Sequence, residues 1–269
     1  MANASIMPMH KPTDNSHMQV TAQGEAQAAD RLARQLVFPS SVERYGDDDR
    51  QVIEWYGDAD AARTICFLHG GKFSGNGLLA ATRPAASALA QTGYRVALPQ
   101  MRFEPGRPEL AANDAQRLAM HPQLASAVWV GHDAGALFAL NVVLASELEP
   151  ASAVLLAPII DLAREVREDP AGEHGHAAVW IGGTLEERAD RYALYDPLFN
   201  YYQLGEAKFR GRELSVNIIH GTADQSVPVA RSRDLRSEPF NLAVVEGANH
   251  IDVIQPGHDA WVYLLGALA

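Results

Sequence analysis

The stretch Gly131-His132-Asp133-Ala134-Gly135 holds one reactive side chain between two glycines. The apolar run 127–130 before it predicts a buried strand, and the apolar run 136–144 after it predicts a buried helix. A strand, a tight glycine-bounded turn and a helix together form a nucleophile elbow, which holds its central side chain out over the end of a sheet. The central residue here is Asp133, so the chemistry expected at this turn is that of a carboxylate.

A second carboxylate and an imidazole follow two later strands. Asp224 comes shortly after the predicted strand 215–220, and His250 comes shortly after the predicted strand 241–245. The carboxyl ends of parallel strands meet at one edge of a sheet. We therefore expect Asp133, Asp224 and His250 to gather in one crevice, where they form a catalytic set.

A pair of glycines, Gly70 and Gly71, ends another predicted strand, 63–68. Two consecutive glycines allow backbone N–H groups to approach a substrate oxygen closely. Lys72 and Phe73 come next and are expected beside the substrate, where the lysine could attract an anion.

The elements that would position these residues alternate along the chain. Strands that are apolar along their whole length are separated by helical segments, which predicts an α/β fold with a mostly parallel sheet and helices on both faces. We predict a flexible arm over residues 1–24, a helix over 26–36, and one domain over 25–269. The segment 161–211 is rich in aromatic residues and breaks the alternation, so we interpret it as a short lid.

Composition restricts the function further. The 269 residues carry a net charge of −11, which argues against nucleic acid or an anionic membrane as a partner. One cysteine, Cys66, cannot form an intrachain disulfide, which fits a cytoplasmic protein. The cluster 173–176 (Glu-His-Gly-His) lies in the predicted lid, where we favour a surface loop over a metal site, and no phosphate-binding or dinucleotide motif occurs. We expect a small-molecule substrate and no metal or cofactor, and a homodimer stays open as the assembly.

Together these motifs resemble the α/β-hydrolase superfamily, in which nucleophile, acid and histidine follow in this order. The chain is most similar to kynurenine formamidase-like and related small esterases. Those proteins carry an HGG loop, a GHSAG elbow and an acidic residue two places after the histidine, as in His250-Ile251-Asp252. The resemblance implies Asp133 as nucleophile, Asp224 as acid and His250 as base.

The resemblance also implies an oxyanion hole and neighbouring substrate contacts. Its donors would come from the Gly70–Gly71 pair and from the N–H of Ala134. His132 fills a variable position of the elbow and lies next to the reacting group. Trp180 and Tyr195 of the lid are further substrate-binding candidates.

The chain departs from the esterases where their elbow has a serine. Aspartate at this position resembles the epoxide hydrolase and haloalkane dehalogenase branches, whose oxyanion loops differ from HGG. A carboxylate that attacks an ester would give a mixed anhydride, whereas its attack on an sp³ carbon gives an ordinary alkyl ester. We therefore predict an Asp-His-Asp hydrolase that opens an epoxide or displaces a halide.

Charge supports the second step of such a reaction. His250 between two ionised carboxylates should be protonated, and alkylation of Asp133 would release it to act as a base. The leaving epoxide oxygen or halide would need a hydrogen-bond donor to stabilise it. The aromatic residues of the lid that carry such a donor are Trp180, Tyr192, Tyr195, Tyr201 and Tyr202.

Two alternatives stay open at this point. The chain could be an esterase or formamidase-like serine hydrolase whose nucleophile has been replaced by Asp133, either in nature or by engineering. It could also be a non-hydrolytic or binding protein on the same fold.

Overall fold

A computed structural model describes residues 15–74, 77–146, 151–168, 176–209, 214–235 and 239–269. The strands are β1 (Ser41–Arg44), β2 (Val52–Tyr56), β3 (Thr64–Leu68), β4 (Arg95–Pro99), β5 (Val128–His132), β6 (Ala151–Leu156), β7 (Leu214–Gly221) and β8 (Phe240–Val245). The helices are α1 (Asn15–Ala33), α2 (Leu79–Gln91), α3 (Pro108–Ala119), α4 (Ala134–Ala145), α5 (Leu162–Glu168), α6 (His176–Ile181), α7 (Ala189–Tyr195), α8 (Pro197–Phe209), α9 (Ala230–Arg233) and α10 (Ala260–Leu268).

The strands form one sheet in the order β1-β2-β4-β3-β5-β6-β7-β8. β2 pairs antiparallel with both of its neighbours, β1 and β4, whereas the strands from β4 to β8 in that order pair parallel with one another. The register pairs Leu68 with Gly131 and His132 with Leu156. The carboxyl ends of β3, β5, β7 and β8 therefore lie along one edge, as parallel pairing requires.

Helices cover both faces of this sheet, which explains why its central strands are apolar along their length. Side chains of β3 alternate between the faces, with Cys66 and Leu68 in one core and Ile65 and Phe67 in the other. The first core includes the buried residues of α3 and α4, and the second those of α1, α2 and α10. The predicted α/β class with a mostly parallel sheet is confirmed.

The segment predicted as a lid, 161–211, lies between β6 and β7. Its described part consists of α5, α6, α7 and α8. Three residues of the Glu-His-Gly-His cluster, 173–175, lie outside the described residues, whereas His176 begins α6.

The N-terminal helix differs in position from the sequence prediction. We expected an arm to residue 24 and a helix over 26–36, but α1 begins at Asn15 and ends at Ala33. Residues 15–24 of the predicted arm are therefore helical, and residues 1–14 lie outside the described part. α1 packs against α2, with Ala28 and Leu32 buried in the second core.

None of the helices in the described ranges is long and apolar enough to cross a membrane.

Two glycines allow α4 to pack closely against the sheet at the elbow. A Cβ atom on Gly131 would lie 2.5 Å from the Cα atom of Ala136, and one on Gly135 would overlap the carbonyl oxygen of Leu68. Real side chains do not approach this closely, so any larger residue would push α4 away from β3 and β5.

We predict that Gly135→Ala lowers the free energy of unfolding by about 2–3 kcal/mol, because the methyl group overlaps backbone that cannot move aside. Gly266→Ala is the matched control, since Gly266 lies in α10 with no atom near its Cβ position. That change should leave stability unchanged or raise it by up to about 1 kcal/mol. Urea unfolding of both variants measures the difference, and equal values would contradict the packing argument.

Candidate functional site

Asp133 occupies a strained backbone conformation between β5 and α4. Its φ of 53° and ψ of −121° are rare for a residue with a side chain. Its N–H donates to the carbonyl of Leu156 at 3.0 Å, and its own carbonyl accepts from the N–H of Ile159 at 3.1 Å. These bonds hold the turn, and the buried carboxylate projects over the carboxyl ends of the strands.

The loop after β3 binds one oxygen of this carboxylate. Oδ2 of Asp133 accepts hydrogen bonds of 2.7 Å from the N–H of Gly71 and 2.7 Å from the N–H of Lys72. Gly71, Lys72 and Phe73 have φ values of 127°, 50° and 58°, so three consecutive residues adopt the region that favours glycine. This conformation turns two neighbouring N–H groups toward the same oxygen, as an oxyanion hole requires.

The residues expected to form an oxyanion hole make different contacts with Asp133. Gly71 donates to Asp133, but the second donor is the N–H of Lys72, which we expected only as a substrate contact. Gly70 provides space rather than a donor, because a Cβ there would lie 2.6 Å from the Cβ of Asp133. Among the described contacts, Ala134 makes no hydrogen bond to this carboxylate and simply begins α4.

The structure brings Asp224 and His250 together beside Asp133. Nδ1 of His250 lies 2.9 Å from Oδ2 of Asp224, and Nε2 lies 3.8 Å from Oδ1 of Asp133. Oδ1 of Asp224 accepts from the N–H of Val227 at 2.7 Å, and Nε2 of His220 lies 3.2 Å from Oδ2. The imidazole therefore lies between two carboxylates, bonded to one and close to the other.

Charge favours a protonated imidazole at this position. Burial opposes a charged ring, but the carboxylates of Asp224 and Asp133 raise the pKa of His250 to about 9. Burial also opposes charge on both aspartates, yet His250 holds the pKa of each carboxyl below its usual range. The resting site is thus a carboxylate–imidazolium–carboxylate arrangement.

His132 contacts the backbone of the loop that carries His250. Burial, with the neighbouring His250, lowers the pKa of His132 to about 3, so this ring is neutral. Its Nε2 lies 2.9 Å from the carbonyl of His250, which can only accept, so Nε2 carries the proton. The ring centroids of His132 and His250 lie 4.7 Å apart. His132 is completely buried and packs behind the site.

A cavity of about 350 Å³ opens onto this arrangement. Asp133 and His250 line it together with Lys72 and His176. Its other lining residues are Glu25, Ala26, Ala29, Gly71, Ser74, Gly77, Leu78, Ser226 and Ile251. Its volume suits a small ligand, at the lower end of the range for binding pockets.

The aromatic candidates of the lid lie elsewhere. Trp180 is buried and stacks on Phe73, with their ring centroids 4.6 Å apart. The ring centroid of Tyr195 lies 5.9 Å from that of Trp180. Tyr195 lines a second cavity of about 640 Å³ between α3 and α4. Within the described ranges, the lining of the cavity beside Asp133 and His250 includes neither Trp180 nor any tyrosine.

Two groups at the site were missed in the sequence analysis. The N–H of Lys72 is a backbone group whose orientation depends on loop conformation, which the sequence does not reveal. Glu25 comes from α1, and its carboxylate contacts the loops that carry Asp224 and His250. A lone glutamate in an alanine-rich helix gave no signal of this position.

Comparison with solved structures relates this fold to several hydrolases. A hormone-sensitive lipase from a metagenome library has a TM-score of 0.63 and 17% identity, with 95% of this chain and 96% of that chain covered. Esterase B from Lactobacillus rhamnosis has a TM-score of 0.60 and 17% identity, with 95% and 94% covered. An esterase from the archaeon Pyrobaculum calidifontis has a TM-score of 0.59 and 16% identity, with 95% and 90% covered.

These likenesses confirm the α/β-hydrolase fold over nearly the whole chain. At such low identity they establish the fold and not the reaction. No protein-family model matches the chain, and no curated relative matches it.

We predict that the His250 ring titrates with a midpoint near pH 9 and that Asp133→Asn moves the midpoint to lower pH. An unfolded histidine titrates near 6.5. The ring's contribution to stability is therefore fully present below about pH 6.5 and is lost as the pH rises through about 9.

Ring NMR shifts followed against pH measure this midpoint. Asp190→Asn is the control, because the side chain of Asp190 in α7 is 77% exposed and the change should leave the His250 midpoint in place. A His250 ring that is neutral at pH 7 in the unmodified protein would contradict the charge assignment.

Proposed function

We propose that this protein hydrolyses a small electrophile at a saturated carbon through a covalent ester on Asp133. The observation that carries the proposal is the unequal environment of the two carboxylate oxygens. Oδ2 accepts the hydrogen bonds of Gly71 and Lys72, whereas Oδ1 has no hydrogen-bond partner among the described residues and is buried next to His250. An unbonded carboxylate oxygen in a strained, preorganised turn is suited to nucleophilic attack.

The same arrangement disfavours ester or amide hydrolysis by Asp133. An acyl substrate must place its carbonyl oxygen against the oxyanion donors, but Oδ2 already occupies the N–H groups of Gly71 and Lys72. The carboxylate would also have to form a mixed anhydride. An sp³ carbon requires no oxyanion hole for the first step, so the occupied donors do not hinder it.

In the first step, an electron pair on Oδ1 of Asp133 forms a bond to the substrate carbon. The bond from that carbon to a halide or an epoxide oxygen breaks, and its electrons leave with that atom. A halide leaves as the anion, whereas an epoxide oxygen takes up a proton. Lys72 and His176 line the cavity, so we assign leaving-group assistance to their side-chain nitrogens rather than to the lid tyrosines.

In the second step, water hydrolyses the ester at the Asp133 carbonyl. Alkylation removes the charge of Asp133, so the pKa of His250 falls and the ring releases its Nε2 proton to solvent. The neutral ring can then take a proton from the attacking water through Nε2. Oδ2 of Asp224 lies 2.9 Å from the other ring nitrogen, Nδ1, and holds the ring in this orientation. Negative charge then develops on Oδ2, already bonded to Gly71 and Lys72. As this intermediate collapses, the bond from the carbonyl carbon to Oδ1 breaks, and Oδ1 leaves with the substrate carbon as the alcohol, taking its proton from Nε2 of His250.

We predict that His250→Ala accumulates a stable adduct on Asp133 when treated with small epoxides and alkyl halides, because attack proceeds while hydrolysis is blocked. Intact mass should rise by the alkyl group, or by the whole epoxide, and peptide mapping should place the increase on Asp133. Asp133→Asn/His250→Ala is the matched control and should stay unmodified. A protein that stays unmodified across a broad panel would count decisively against this function.

A second candidate has its own support. The neighbours named above are esterases and a lipase, and the HGG loop resembles that of kynurenine formamidase-like esterases. On this view the chain is a serine-hydrolase framework in which Asp133 replaces the serine and blocks the oxyanion hole.

We predict for this second candidate that Asp133→Ser hydrolyses aryl esters at least about 100-fold faster than the unmodified chain, since a free oxyanion hole contributes at least that much. Asp133→Ala is the control, because it frees the same hole without supplying a nucleophile. Initial rates with an aryl acetate measure the effect. Equal rates for the serine and alanine variants would rule the second candidate out.

A further inference from the structure

Glu25 of α1 connects the two loops that carry the acid and the base. Its Oε1 accepts from the N–H of Gln225 at 2.8 Å and from the N–H of His250 at 3.2 Å. Its Oε2 accepts from the hydroxyl of Ser226 at 2.7 Å. Gln225 and Ser226 directly follow Asp224, so one side chain bonds the neighbourhoods of both catalytic residues.

These contacts span long distances in sequence. Glu25 lies 200 residues before Gln225 and 225 residues before His250. It is 5% exposed, and a carboxylate buried to this extent is costly unless hydrogen bonds satisfy it. Three donors on two oxygens provide that satisfaction, and bonds to a charged acceptor are stronger than neutral ones.

α1 also forms part of the wall of the catalytic cavity. Ala26 and Ala29 line the cavity together with Glu25, and Ala28 and Leu32 on the same helix are buried in the core. The apolar residues therefore anchor the helix, while the glutamate reaches the catalytic loops. A helix that served only for packing would have no need of a buried carboxylate at this position.

We propose that Glu25 is a positioning residue that fixes the loops of Asp224 and His250 so that Nε2 of His250 faces Asp133. The proposal rests on the proposed function only in treating His250 as the base. The backbone N–H of His250 is bonded to Glu25 and its ring is bonded to Asp224, so the ring is held from both sides. Small displacements of such a group lower catalytic rates steeply.

Two measurements on Glu25→Ala test this proposal. Amide hydrogen exchange at Gln225 and His250 should accelerate at least about tenfold, because their acceptor is lost. Hydrolysis of the Asp133 adduct in a single turnover should slow about 100-fold, with the alkylation step little changed. Glu25→Gln retains an oxygen acceptor for both N–H groups, so its hydrolysis rate should fall by less than about tenfold.

Asp30→Asn is the charge-matched control, because Asp30 lies exposed on the same helix and should leave both measurements unchanged. If Glu25→Ala does not fold, amide exchange of Glu25→Gln decides, with modestly faster exchange expected at Gln225 and His250 than in the unmodified chain, because a neutral amide oxygen is a weaker acceptor than a carboxylate. Glu25 variants with unchanged exchange and unchanged hydrolysis overturn the proposal. A chain that forms no adduct refutes the proposed function instead, while amide exchange still tests Glu25.

Discussion

The two hydrogen bonds that Gly71 and Lys72 donate to Oδ2 of Asp133 determine what this site can do. They satisfy one oxygen of a buried carboxylate, while the other has no hydrogen-bond partner in the part of the chain that the structure describes. They also place oxyanion donors on an oxygen of the protein itself rather than on an oxygen of the substrate. In the reaction we propose, nucleophile and oxyanion therefore belong to the same side chain, and the electrophile is a carbon that Oδ1 can reach.

The backbone on both sides of this contact is strained, and the packing around it holds it in place. Asp133 and the loop residues Lys72 and Phe73 all have positive φ, a conformation that costs free energy at each position. The close packing of α4 at Gly135 and the register of β3 against β5 leave these turns little freedom. The fold thus stabilises a geometry that the isolated loops would not adopt, which is how a preorganised site is built.

The sequence predicts the framework better than it predicts the contacts. Apolar strands between helices identify the fold, because burial on both faces of a parallel sheet requires that pattern. β1 was not predicted, since it is a short edge strand with largely exposed residues. The donor role of Lys72 and the reach of Glu25 depend on backbone direction and on contacts across more than 200 residues. The proximity of Asp224 and His250 was predictable because both follow parallel strands.

Single-turnover hydrolysis in H₂¹⁸O tests most directly whether Asp133 forms the ester. With enzyme in excess over an epoxide or alkyl halide, the account predicts that the first alcohol formed contains ¹⁶O from Asp133. The peptide that contains Asp133 should gain one ¹⁸O atom, because water attacks the carbonyl carbon of the ester. Labelled alcohol in the first turnover, with Asp133 unlabelled, would show direct attack by water and contradict the account.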